Sequence, residues 1–166
     1  MRYFPGGLVR LLICWIFLLA ATVSVAQTSP RVTDERLLNA SSNPANWITF
    51  GQNYTNQRFS ALKQITGANI KNLRPRWTYR SGAKGPFQAQ PLVDGGVMYV
   101  TLPGNDVVAL DGATGTERWR YKHSKRREKT LGSSANRGAA LGYGMVFEAT
   151  NDGRLIALDV VSGALV

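Results

Sequence analysis

The 166-residue sequence holds one cysteine, Cys14, and one histidine, His123. Cys14 falls in the apolar N-terminal stretch, so the chain beyond it has no thiol and forms no disulfide. His123 has no companions at ligand spacing and, set in a basic run, reads as a surface residue. Sustained helical periodicity is also missing. Beyond the N-terminus no stretch keeps an apolar period of 3.6 residues, which makes helices a poor fit. Acidic residues are outnumbered two to one, 10 against 20 Lys and Arg, for a formal charge of +10. The longest apolar run, residues 11–26, is 16 residues, short of the roughly 20 that a membrane-spanning helix needs.

What the N-terminus does have is the order of a secretory signal: Arg2 and Arg10, the apolar run, then Ser24-Val25-Ala26. We assign residues 1–26 as a signal peptide cleaved after Ala26, which predicts export to the periplasm. Ile13, directly before Cys14, argues against a lipoprotein signal. The alternative is an uncleaved anchor, which would leave the protein associated with the membrane. Without Arg2 and Arg10 the formal charge falls from +10 to +8. Much of it sits in "RWRYKHSKRREK", residues 118–129, with seven Lys or Arg and one Glu. No nucleic-acid motif accompanies this run, so it reads as a solvated loop, with a surface for docking an acidic partner as the alternative.

The dominant feature is an internal repeat. "GVMYVTLPGNDVVALDGATGTERW" (96–119) aligns without a gap to "GMVFEATNDGRLIALDVVSGALV" (144–166), at an offset of 48. Gly96, Ala109, Leu110, Asp111 and Gly115 recur as Gly144, Ala157, Leu158, Asp159 and Gly163. A weaker echo lies upstream, where Asn69 and Trp77 keep the separation of Asp111 and Trp119. Each copy consists of short β-branched runs bounded by Gly, Pro and Asn, and reads as strands joined by tight turns. Asp111 is placed to accept backbone N–H bonds in its turn, and Gly115 permits positive φ. Asp152, followed by Gly153, reads as a hairpin-turn residue, and Asp159 as the second copy of the Asp111 turn. Units of 40–50 residues with several strands suggest an all-β propeller, whose blades cannot bury their faces alone. A tryptophan once per blade, Trp119 here, suits the gap between neighbours, where its ring buries roughly 150–250 Å².

On these residues the chain resembles the pyrroloquinoline quinone (PQQ) dehydrogenases, eight-bladed quinoprotein propellers that include methanol and ethanol dehydrogenases. "ALDGATGTERW" is similar to the family's tryptophan-docking motif. "NWITFGQNYTNQRFSALKQITGANIKNLRPRWTY" (46–79) looks like its N-terminal lead-in segment. "FQAQPLVDGGVMYVT" (87–101) looks like its first blade, and "NRGAAL" (136–141) like the opening of its second. The resemblance divides the chain into the signal peptide, a linker over 27–45, and over 46–166 the lead-in segment, one full blade and most of a second.

The resemblance implies PQQ near the propeller axis with Ca2+ beside it as a Lewis acid. It further implies a carboxylate base, an alcohol or polyol substrate, and a cytochrome c or membrane quinone as electron acceptor. Arg137, the arginine of "NRG", matches the family's PQQ-contacting arginine, and a guanidinium suits the carboxylates and quinone oxygens of PQQ. Gln88 occupies the position where many members have a PQQ-contacting Glu; Gln90 is a weaker candidate two positions on. Without the family, Arg137 reads first as a structural arginine paired with a neighbouring carboxylate. Many members carry adjacent cysteines shortly before "NRG"; here Leu131 and Gly132 stand in their place, so that cover over PQQ is missing. In the family the calcium ligands and the catalytic Asp come from later blades, so no catalytic or metal-binding residue is assigned in this chain. Residues 1–166 alone are expected to be inactive. The alternative functions are a non-catalytic envelope scaffold built of the same repeats, or a pseudoenzyme, which Gln88 and the missing cysteines would suit.

Overall fold

The computed structural model describes residues 31–124 and 134–166. Residues 1–26 with Cys14, residues 125–129 of the basic run, and the Leu131 and Gly132 positions lie outside the described residues. Among the described residues no helix is long and apolar enough to cross a membrane.

Among the described residues, seven strands form two antiparallel sheets. The first contains β1 (Leu92–Asp94), β2 (Val97–Thr101), β3 (Val107–Asp111) and β4 (Glu117–Tyr121), in sequence order. The second contains β5 (Ala140–Gly142), β6 (Met145–Ala149) and β7 (Leu155–Asp159). Leu165 bridges to Leu158 on the free edge of β7, where β4 stands in the first sheet. The two sheets are therefore successive blades of one repeated plan, with the 48-residue offset carried into three dimensions. Val97 pairs with Asp111 in the first sheet and Met145 with Asp159 in the second. The turns repeat as well: Leu102 N donates to Asp106 O as Thr150 N does to Arg154 O.

Burial explains why these sequences are strands. β2 alternates, with Val97, Tyr99 and Thr101 buried on the face toward the second blade. The central strand β3 is buried from Val107 to Leu110 because both of its faces are covered. Val107 and Ala109 pack with Tyr99, Trp119, Val146 and Leu158 between the blades. Val108 and Leu110 pack on the other side with Leu102, Trp77 and Tyr79.

Two expectations about the basic run change. Residues 118–121 belong to β4 rather than to a solvated loop. The register slips between Ala109 and Leu110, which pair with Trp119 and Glu117 and leave Arg118 as the extra residue. Arg118 reaches back to Asp111 (Nη2 to Oδ2, 2.7 Å). Arg120 donates to the Tyr79 hydroxyl at 2.6 Å and to Ser81 O at 2.9 Å. His123 is not a surface residue: its side chain is fully buried, Nε2 lying 3.2 Å from Asp152 Oδ2. It is covered because the chain leaving β4 runs beneath the β6–β7 turn, whose Arg154 donates to Ser124 O at 2.7 Å. Asp152 does occupy that turn, but its carboxylate also points inward to Arg154 and His123.

The segment expected as a linker contains the short helix α1 (Asp34–Leu38), capped by Thr33 with Asp34 and Glu35 in its first turn. It packs because it has specific anchors: Arg36 holds Asp94 through two hydrogen bonds, and Val32 and Ala40 are buried in the interblade core. Trp47 then exchanges two backbone hydrogen bonds with Val93, bordering β1. Val32 O accepts from Tyr143 N in the β5–β6 turn. Through Asp94 and Tyr143 the N-terminal segment covers one end of both blades.

Candidate functional site

The other end of the blades carries the residues singled out from the sequence. Gln88 lies four residues before β1 and Arg137 three before β5, at the N-terminal ends of the first strands of adjacent blades. Both side chains are exposed, and Gln90 is half-buried. Gln88 and Gln90 precede the ladder-bonded part of β1 instead of lying within it. The backbone brings the two stretches together at Gly138: a Cβ built there would lie 3.7 Å from Gln90 O and 3.9 Å from Gln90 N. Those are ordinary van der Waals distances, and what calls for glycine after Arg137 is its backbone, at φ +127°.

Beneath Arg137 is a buried polar cluster that sequence reasoning missed. Asn136 is 4% exposed and Glu148, on β6, 1%. The Asn136 amide nitrogen donates to Glu148 Oε1 at 2.8 Å, Asn105 Oδ1 at 3.1 Å and Ala149 O at 3.1 Å. Its carbonyl Oδ1 accepts from Gly138 N at 2.9 Å, closing an Asx turn across Arg137. Asn105, at φ +70°, belongs to the β2–β3 turn of the first blade and also accepts from Asn151 N at 3.2 Å. Asn151 in turn donates to Ala135 O at 3.2 Å. Burial, with Asp106 and Asp152 nearby, pushes the Glu148 carboxyl up to about 8. The available signal was Glu148 itself, a carboxylate where the first repeat has Val100.

The docking turns hold the blades that carry this end. Asp111 Oδ1 accepts from Ala113 N, Thr114 N and the Thr114 hydroxyl at 3.0–3.1 Å. Asp159 Oδ1 accepts from Val161 N at 3.1 Å and from Ser162 N and Oγ at 2.8 Å. Each turn receives an indole. Trp77 Nε1 donates to Gly112 O at 3.1 Å and Trp119 Nε1 to Val160 O at 3.0 Å, acceptors again 48 residues apart. The upstream echo is thus half reproduced. Trp77 docks, while Asn69 closes a local turn through Thr66 N and Gln64 O.

A four-stranded blade followed by three strands of a second on the same plan, each docking turn filled by an indole from the preceding unit, defines a β-propeller of the tryptophan-docked class. The model of the glucose/ethanol/alcohol dehydrogenase PQQ β-propeller domain matches residues 47–166, and the chain belongs to this family. It is 38% identical over 149 residues to a quinone alcohol dehydrogenase, dehydrogenase subunit, of Gluconacetobacter polyoxogenes, covering 88% of this chain and 20% of the relative. Among solved structures it is similar to the quinohemoprotein alcohol dehydrogenase of Comamonas testosteroni, with a TM-score of 0.73 and 37% identity, covering 82% of this chain and 21% of that one. A europium-containing methanol dehydrogenase gives a TM-score of 0.74 at 33% identity, covering 80% of this chain and 24% of that one. The chain spans about a fifth of the length of the curated relatives it matches.

The donor set fits PQQ, since a guanidinium and an amide both donate hydrogen bonds to carboxylates and quinone oxygens. Among the described residues no group of three or more His, Cys, Asp or Glu is placed to hold a metal ion.

Proposed function

We propose that this chain is the N-terminal portion of an exported PQQ-dependent dehydrogenase that oxidises an alcohol or polyol in the periplasm. The observation that carries the reading is Arg137, exposed at the N-terminal end of β5 on a turn anchored from below and backed against Gln90. Bound PQQ would supply the hydride acceptor, with Ca2+ held by residues elsewhere in the protein. Arg137 would pair with an acidic edge of the cofactor, and Gln88 would add an uncharged amide contact at the position where many family members have a Glu. Electrons would leave to a cytochrome c or a membrane quinone.

The test is dye reduction by the whole protein, stripped of PQQ and divalent ions and then reconstituted with both. Oxidation of short alcohols or polyols that requires added PQQ is expected. Turnover that is indifferent to PQQ, or its absence after loading, would overturn the reading.

A further inference from the structure

Arg137 is exposed, yet the residues on either side of it are among the most constrained of the described chain. The two N–H groups of the Asn136 amide are shared among three acceptors from two blades: Glu148 Oε1 and Ala149 O on β6, and Asn105 Oδ1 in the β2–β3 turn. The remaining capacity, Oδ1, is used on Gly138 N, so the hydrogen bonds bracket Arg137 in the chain. Ala135 is held as well, through Asn151 Nδ2. A surface loop serving only to connect β4 to β5 would not need a buried carboxyl beneath it. Burying Glu148 is costly, because its Oε2 has no hydrogen-bond partner among the described residues. The equivalent strand position in the first blade is filled by Val100, so the propeller plan itself does not call for a polar group there.

We propose that Asn136 and Glu148 are positioning residues for Arg137. The buried Glu148–Asn136 hydrogen bond fixes the backbone of residues 136–138, so that the guanidinium is presented already oriented to an acidic ligand at this end of the blades. This rests on the reading of Arg137 as a PQQ contact. An arginine on a fixed backbone loses less conformational freedom on binding than one on a loose loop, and this difference appears as affinity. Burial and the nearby Asp106 and Asp152 raise the Glu148 carboxyl, which favours its uncharged form beneath an acidic ligand.

Two readouts test the proposal in the whole protein. The first is PQQ affinity, by fluorescence titration of wild type, Arg137→Ala, Glu148→Gln, Glu148→Leu and the Glu148→Leu/Arg137→Ala double variant. The second, without PQQ, is hydrogen exchange at the Gly138 amide. Glu148→Gln keeps the acceptor and is expected to retain wild-type affinity and slow exchange. Glu148→Leu is expected to bind PQQ about tenfold more weakly, to exchange Gly138 faster, and to add nothing on the Arg137→Ala background. Should Glu148→Leu not fold, Asn136→Ser carries the same test, since it drops the donor to Glu148 and keeps a hydroxyl near Gly138. Wild-type affinity in Glu148→Leu or Asn136→Ser, beside a weakened Arg137→Ala, would overturn the positioning role and leave the cofactor reading standing. Wild-type affinity in Arg137→Ala would overturn both.

Discussion

The indole of Trp119 lies flat against Gly163, so close that a Cβ built on the glycine would fall 2.5 Å from the ring carbon Cε3. Gly163 is also at φ +70°. The contact therefore needs glycine twice, for its backbone and for its missing side chain. Gly163→Ala should cost more than the roughly 1–2 kcal/mol of a left-handed alanine alone. Gly153→Ala is the control: it has φ +80° but nothing within 4 Å. Denaturant melts of the whole protein should place Gly163→Ala well below Gly153→Ala; equal midpoints would contradict the docking geometry.

The same seam predicts a graded series at Trp119. Trp119→Ala removes a ring packed between the blades and should destabilise by about 3–5 kcal/mol. Trp119→Phe keeps most of the burial but leaves Val160 O with only the 3.4 Å bond from the Tyr99 hydroxyl in place of the 3.0 Å bond from Nε1, and should cost about 0.5–1.5 kcal/mol. Equal losses in the two variants, read from urea midpoints, would mean that the packing of the ring contributes nothing beyond the hydrogen bond.

This seam was readable from the sequence because it is written twice, and the 48-residue offset reappears in strand pairing, turns and tryptophan acceptors. Arg137 and Gln88 were singled out through the family's motifs, and both lie just before the first strands of adjacent blades. Residues whose role depends on what another blade places opposite them were not. His123 lies in a run of lysines and arginines, and only the β6–β7 turn folding over it makes it buried. Glu148 departs from the repeat, but its partner Asn136 comes from the loop between blades, which the repeat does not cover.

Glu148 gives the protein a characteristic pH dependence. Its folded value, about 8, lies above its ordinary 4.5, chiefly because of burial and then through the Asp106 and Asp152 charges. Between those values the unfolded chain is ionised and the folded chain holds a proton. Its contribution to stability is thus full below about 4.5 and declines as pH rises toward about 8. Glu148→Gln should flatten this decline and raise the melting temperature at pH 8–9. An unchanged difference between variant and wild type from pH 5 to 9 would show that Glu148 does not titrate in this range.

The docking turns respond in the opposite direction. The Arg118 guanidinium and the hydrogen bonds from Thr114 and Ala113 lower Asp111 from 3.8 to about 2. Asp159 is lowered through Ser162 and Val161. A carboxylate depressed in the folded state contributes stability above its unfolded value, and this is lost as pH falls toward the folded one. Melting temperatures should therefore drop between pH 4 and 2. Asp111→Asn should be less stable at pH 7 and show a shallower acid limb.

The most direct test of the account is calorimetric titration of PQQ into the whole protein, wild type and Arg137→Ala, in the presence of Ca2+. The account predicts saturable uptake of one PQQ per chain by the wild type and affinity at least about tenfold weaker in Arg137→Ala, the scale of one lost charge-assisted hydrogen bond. Absence of saturable uptake, or identical isotherms for the two proteins, would contradict it.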